Sequence, residues 1–294
     1  MEGKMSLRND LPAVSDFARP KAYQADPPAD VLARWPASAA ASDNDTEIAI
    51  YDQIGVDWWS GEGWTAKKMR AILNRVKGKD ITVKINSPGG DVFEGLAIYN
   101  ELRAHNGKVT VQVMGLAASA ASFIAMAGDE IVMGLGTFMM VHKAWGMVVG
   151  NEDDFREAAD LFAQFDAALS DIYEARTGKS ADEIGALMRE ETWMGPKEAI
   201  ALGFADSSDD GLKLEAPADT KDNKALMARR ATEAALAKAG HSRNSRAALM
   251  GDLGSAPRDA SREAAPRDAG FDTEALLAFN EKAKGFLQQI RSKG

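Results

Sequence analysis

The sequence predicts an α/β domain through the middle of the chain, on three observations. Between Thr46 and Asp206, short runs rich in β-branched residues alternate with longer segments whose apolar residues recur every three or four positions. That is the pattern of strands joined by helical crossovers. Gly, Pro, Ser and Asp collect at the junctions, where turns and helix caps need them. Outside these limits the alternation stops.

Taken in order, residues 1–45 carry Pro12, Pro20, Pro27, Pro28 and Pro36 among Ala, Ser and Asp, and read as an irregular leader. TEIAIYDQIG is a strand candidate, followed by the tryptophan cluster Trp58, Trp59 and Trp64. Indoles bury a large area, so the cluster is assigned to core or interface. Thr65 is a cap for a helix reaching about Val76, with Met69, Ile72, Leu73 and Val76 on one face. DITVKIN is a strand, SPGGD a turn and VFEGLAIYNELRAH a helix; KVTVQVMG is a strand and SAASFIAMAG a helix. DEIVMGLGTFMMVH holds two short apolar runs split by Gly134 and Gly136. A long helix is expected from Glu152 to about Arg176, capped by Asn151 and stopped by Gly178, with Phe155, Ala158, Phe162, Phe165, Leu169 and Ile172 as its apolar stripe. SADEIGALMREE, capped by Ser180, is another helix, and GPKEAIALGFAD a short one closed by Gly203 before a terminal strand. From residue 208 to 294 the chain turns polar and Ala-rich, with APRDA at 256–260 and again at 265–269. Helical segments are expected at roughly 223–239 and 272–290, in a solvated appendage or partner-binding arm.

Composition narrows the function. Of 294 residues, 45% are hydrophobic and 27% charged, enough for a real core. A net charge of −9 offers no basic field for nucleic acid. The absence of cysteine removes thiol nucleophiles, thiolate metal sites and disulfides, and fits a reducing compartment such as the cytoplasm. The N-terminus has no apolar signal core. The uncharged stretch Val109–Gly128 has the length of a membrane span, but its Gly, Ala, Ser and Gln112 content suits a buried strand and helix better.

Three histidines limit any imidazole chemistry: His105 at a helix end, His142 at a strand end, and His241 in the polar tail. His142 follows the apolar run TFMMV. Ser119 stands where an apolar strand turns into an Ala-rich helix, a place where a hydroxyl can project beside free amides. A serine hydroxyl needs an adjacent base to act as a nucleophile, and imidazole suits that task. Either residue alone also fits a plain structural role, Ser119 or Ser122 as a cap or small core residue and His142 as a bonded strand end. In NSPGGD, Gly89 and Gly90 allow close backbone approach, so their amides are candidates for an oxyanion hole or a peptide-binding edge. The spacing matches neither GxGxxG nor the phosphate-binding P-loop, so nucleotide binding is disfavoured.

INSPGGDVFEGLAIYNEL, GLAASAAS, MMVHKAW, the long helix and GPKEAIALGFAD resemble, in that order and at similar intervals, the Clp-protease catalytic subunit. They resemble most of all the Clp-like head-maturation proteases of tailed phages and prophages. The resemblance covers about residues 46–207. It implies a crotonase-like ββα superhelix with a projecting long helix, flanked by the leader and the helical tail. It implies Ser119 as nucleophile, His142 as general base, and the backbone amides of Gly90 and Ala120 as oxyanion donors. The triad acid falls on Glu191, where the family carries Asp; Glu190 is the fallback, with Asp206 and Asp171 behind it. The resemblance further implies a ring-forming homo-oligomer, a polypeptide substrate such as a capsid or scaffold precursor, and no cofactor or metal. An ATPase would have to be a separate partner. Rival readings are a crotonase-type acyl-CoA enzyme, a Ser-Lys peptidase, and an assembly protein with an idle site.

Overall fold

The computed structural model describes residues 8, 10–15, 17–19, 27–35, 44–56, 63–146 and 148–213, and, beyond these, residues 228, 231–233, 235–236, 239, 241, 245–246 and 248–250. All of them belong to one unit, residues 1–251. Trp58, Trp59 and the helix expected near 272–290 lie outside the described residues. The elements run α1 (Ala29–Arg34), β1 (Glu47–Ile50), α2 (Ala66–Arg75), β2 (Ile81–Ser87), α3 (Val92–Arg103), β3 (Val109–Ala118), α4 (Ala120–Ala125), β4 (Glu130–Gly134), β5 (Phe138–Val141), α5 (Glu152–Thr177), α6 (Ala181–Arg189), β6 (Thr192–Met194), α7 (Pro196–Leu202) and β7 (Ser207–Asp209).

One sheet organises the unit. Strands β1, β2, β3, β4 and β7 lie side by side and parallel. Along β2, β3 and β4 buried apolar residues alternate with half-buried ones such as Thr82, Lys84, Thr110 and Gln112, so one face of each strand is sealed in the core and the other is only partly covered. Val83, Ile85, Val109, Val111, Val113 and Ile131 are accordingly all buried. Val109–Gly128 resolves into β3 and α4, and among the described residues no helix is long and apolar enough to cross a membrane.

β3 does two jobs. Its first half pairs with β4, from Thr110↔Glu130 to Val113↔Met133. Its last residues leave β4 and pair in parallel with β5, from Leu116↔Phe138 to Ala118↔Met140. β5 in turn pairs antiparallel with β6. This handover sets the ends of β3 and β5 side by side.

The helices form where their caps predict. The Thr65 hydroxyl accepts from the Lys68 N–H, and the Asp91 carboxylate from the N–H groups of Phe93 and Glu94. Asn151 and Ser180 form full capping boxes with Asp154 and Glu183. Gly178 and Gly203 end α5 and α7 in the left-handed conformation. Along α5 the buried stripe is Ala158, Leu161, Phe165, Leu169, Ile172 and Tyr173. Phe155, counted on that stripe from spacing, is 52% exposed; it lies in the first turn, before the helix reaches the core.

The segment before Thr46 is anchored at Arg8 and at α1. The Arg8 guanidinium is buried, donating to the carbonyls of Leu102, His105 and Gly107 at 2.9, 2.7 and 2.5 Å and pairing with Asp129 at 2.8 Å. α1, which spacing did not reveal, seats Val31 and Trp35 on Leu116, Ala118 and Met140, with Trp193 at the edge. Its Trp35 indole donates to the Asn86 carbonyl at 3.0 Å.

Candidate active site

Ser119 follows the last residue of β3, and His142 the last residue of β5. Because those strands pair in parallel at Ala118↔Met140, both residues leave the sheet at one point, and the Ser119 N–H donates to the Met140 carbonyl at 2.9 Å. The side chains then meet: His142 Nε2 lies 2.7 Å from Ser119 Oγ. With the imidazole proton on Nδ1, Nε2 accepts the serine proton.

The backbone at Ser119 is strained. Ser119 has φ 53° and ψ −121°, a conformation that only glycine adopts without cost. Its side chain makes no cap to α4; it is turned toward His142 instead, so the capping role weighed from the sequence does not apply. Ser122, the other cap candidate, is fully buried and bonded to Tyr173. Among the described residues Ser119 and Glu191 are the two non-glycine residues with positive φ. Strain of this kind gathers where a side chain must be aimed.

Gly90 faces this pair across a cleft that also includes Val92, Ala120, Phe123, Trp145, Leu169 and Tyr173. The turn before α3 is tied to the loop after β1: the Ile54 N–H donates to the Gly89 carbonyl at 2.8 Å, and the Asp91 N–H to the Ile54 carbonyl at 2.9 Å. Gly90 has φ 145°, and a Cβ there would stand 2.2 Å from the Ile54 oxygen, so no larger residue fits. Among the described residues no acceptor is paired with the N–H of Gly90 or of Ala120, which leaves two amide donors at the cleft.

Burial holds His142 below its ordinary pKa, against the charges of Asp30 and Asp166, which raise it. Asp166 also shapes the loop that follows: it accepts from the Ala144 N–H at 2.7 Å and pairs with Lys143 at 3.0 Å. Glu191 reaches the site by backbone register. β5 and β6 pair as Met139↔Met194, Met140↔Trp193 and Val141↔Thr192, so Glu191, one residue before β6, and His142, one residue after β5, lie at the same end of that strand pair. Its carboxyl, however, is engaged with α1 and β6. Burial and the adjacent Asp30 carboxyl push it above its ordinary pKa, while Trp193 and Arg34 act the other way. Among the described residues no hydrogen bond joins Glu191 to His142. The other acid candidates lie elsewhere: Asp206 pairs with Arg176 and accepts from the Ile131 N–H, Glu190 caps α6, and Asp171 is exposed on α5. Of the remaining histidines, His105 bonds the Lys79 carbonyl and His241 contacts Ser245. Sequence reasoning missed Asp30 and Asp166, since nothing in their local pattern relates them to a distant imidazole.

A parallel-sheet domain with a serine–imidazole pair at a strand-to-helix turn, beside two free amides, has the parts that a hydrolytic site of the serine type needs. Comparison with known proteins narrows this. Residues 38–208 match the model of the Clp protease family. The chain is 33% identical to the ATP-dependent Clp protease proteolytic subunit of Pleurastrum terricola over 138 residues, which cover 46% of this chain and 70% of that protein. It is 32% identical over 142 residues to proteolytic subunit 1 of Synechococcus sp. (strain CC9902), covering 48% and 72%. For proteolytic subunit 2 of Nocardia farcinica the identity is 32% over 131 residues, covering 44% and 64%. The chain belongs to the Clp protease family, which implies a peptidase hydrolase.

Proposed function

We propose that this chain is a serine endopeptidase in which Ser119 attacks the scissile carbonyl and His142 is the general base. The observation that carries the reading is the 2.7 Å contact between His142 Nε2 and Ser119 Oγ. In the first half-reaction the Ser119 proton passes to His142 as the Oγ–C bond forms. The carbonyl oxygen, now negative, takes hydrogen bonds from the N–H groups of Gly90 and Ala120. His142 returns the proton to the leaving amine as the C–N bond breaks. Water then repeats the sequence in reverse on the acyl-enzyme, releasing the acid and restoring the hydroxyl. Glu191 is assigned the orienting acid, a role that requires its carboxyl to turn from Asp30 to His142 Nδ1. Its place directly before β6, the strand paired with β5, and its positive φ support that assignment.

The substrate is a polypeptide, and the resemblance to head-maturation proteases favours a capsid or scaffold precursor cut by a ring of identical subunits. The relatives' description as ATP-dependent supports a separate unfoldase as partner when the substrate is folded. The test is a mass-spectrometric map of cleavage products from a co-expressed precursor, alongside fluorophosphonate labelling. Wild type is expected to cut and to label at Ser119; Ser119→Ala should do neither, and His142→Ala should lose both by several orders of magnitude. Cleavage that persists in Ser119→Ala, or particles assembled with no cleavage by either form, would remove the peptidase reading.

A further inference from the structure

Behind the nucleophile lies a polar line that peptide cleavage as described above does not use. Ser122 is fully buried and Tyr173 nearly so. The Ser119 carbonyl accepts twice from Ser122, from its N–H at 2.9 Å and from its hydroxyl at 2.6 Å. Ser122 Oγ also lies 2.7 Å from the Tyr173 hydroxyl. A carbonyl can only accept, so the single Ser122 proton points at Ser119 O. The proton between Ser122 and Tyr173 must then come from the phenol. Burial pushes the Tyr173 phenol above its ordinary pKa, so it stays protonated and keeps donating throughout the neutral range. The direction of the line is thereby fixed: Tyr173 to Ser122 to the Ser119 carbonyl.

The Ser119 carbonyl and the Ala120 N–H are opposite ends of one planar trans peptide unit. Whatever holds the oxygen sets the direction of the N–H, and whatever draws electron density to the oxygen makes that N–H a better donor. An external hold is needed here because ψ of Ser119 sets this peptide plane, and Ser119 sits at φ 53° and ψ −121°, outside the conformations its own preferences would keep.

We propose that Tyr173 and Ser122 are positioning residues that orient and polarise the Ala120 amide as an oxyanion donor, so that a residue late in α5 tunes the chemistry at the end of β3. The inference rests on the serine-peptidase reading above. It differs from simple burial of two hydroxyls in a core, because it predicts a defect confined to the transition state and transmitted in series.

The test uses the full-length protein and a quenched-fluorescence peptide spanning a bond that wild type cleaves. Deleting an oxyanion donor outright typically costs about 10²–10³ in kcat, which bounds the effect of merely loosening one. Ser122→Ala is expected to lower kcat about 10- to 100-fold, and Tyr173→Phe about 3- to 10-fold, with KM within about twofold in each. Because the line passes through Ser122, adding Tyr173→Phe to Ser122→Ala should cost nothing more. Thermal melts establish that each variant is folded; if Ser122→Ala does not fold, Tyr173→Phe and its kcat against KM split carry the test. Tyr173→Phe with wild-type kcat, a loss that falls in KM, or losses that multiply in the double variant would overturn the inference alone. Wild-type protein with no Ser119-dependent cleavage would overturn the peptidase reading and this inference with it.

Discussion

Gly89→Ala is the sharpest probe of how the backbone supports the site. Gly89 has φ 84°, and a Cβ there would lie 2.5 Å from the Ala118 oxygen, 2.7 Å from Ser119 Cβ and 2.8 Å from the Ala120 nitrogen. Each must retreat by roughly 0.6–0.9 Å to reach the 3.4 Å where ordinary contact begins. None is the free end of a flexible side chain; all three belong to the turn that aims the nucleophile. The left-handed conformation costs an alanine about 1–2 kcal/mol, and overpacking about 1–3 kcal/mol more. A total of about 2–5 kcal/mol lowers Tm by roughly 4–20 °C for a domain of this size. A displacement near 1 Å at the reacting atom costs on the order of 10²-fold in rate. The assay pairs thermal unfolding with the rate of fluorophosphonate labelling below the lowered Tm. Gly78→Ala is the control, since Gly78 has φ 69° but nothing within 4 Å of its built Cβ; it should lose only the conformational part and label normally. If folded Gly89→Ala labels Ser119 at the wild-type rate, the claim that this glycine packs against the nucleophile turn is wrong.

The pH profile of kcat/KM should rise through a midpoint below His142's ordinary 6.5, because the neutral imidazole is the active form and burial disfavours the cation. Asp30→Asn and Asp166→Asn each remove a charge that favours the cation, so each should move that midpoint further down; an upward or absent shift refutes the assignment. Glu191→Gln should cut kcat roughly 10³- to 10⁴-fold if it orients the imidazole, whereas Asp30→Asn should leave kcat within a few-fold; the reverse ranking would transfer the acid role to α1. Arg8→Leu removes the cation paired with Asp129 and a donor to three carbonyls, and chemical denaturation should show a loss of roughly 3–5 kcal/mol, against near-zero if the segment around Arg8 were detached.

What could be read from the sequence divides along a physical line. Most strands, the caps at Thr65, Asn151 and Ser180, and the stops at Gly178 and Gly203 were legible because side-chain type at those positions carries the local instruction. Ser119 and His142 were legible as a pair because a hydroxyl and an imidazole name their own chemistry, and the structure brings them to 2.7 Å. β6 was hidden because three residues are too few for any period to declare itself. Arg8 was hidden for a different reason: its partners are mostly main-chain oxygens, and every residue has one. The same holds for the Ser119 carbonyl, which accepts from Ser122, itself bonded to Tyr173. Ser122 could be weighed only as a cap or filler, and Tyr173 lay just beyond the stripe traced by spacing. Main-chain acceptors, unlike caps and nucleophiles, leave no mark on composition or period. A site whose electrostatics depend on the direction of one peptide unit therefore has its reactive groups written in the sequence and its tuning written only in three dimensions.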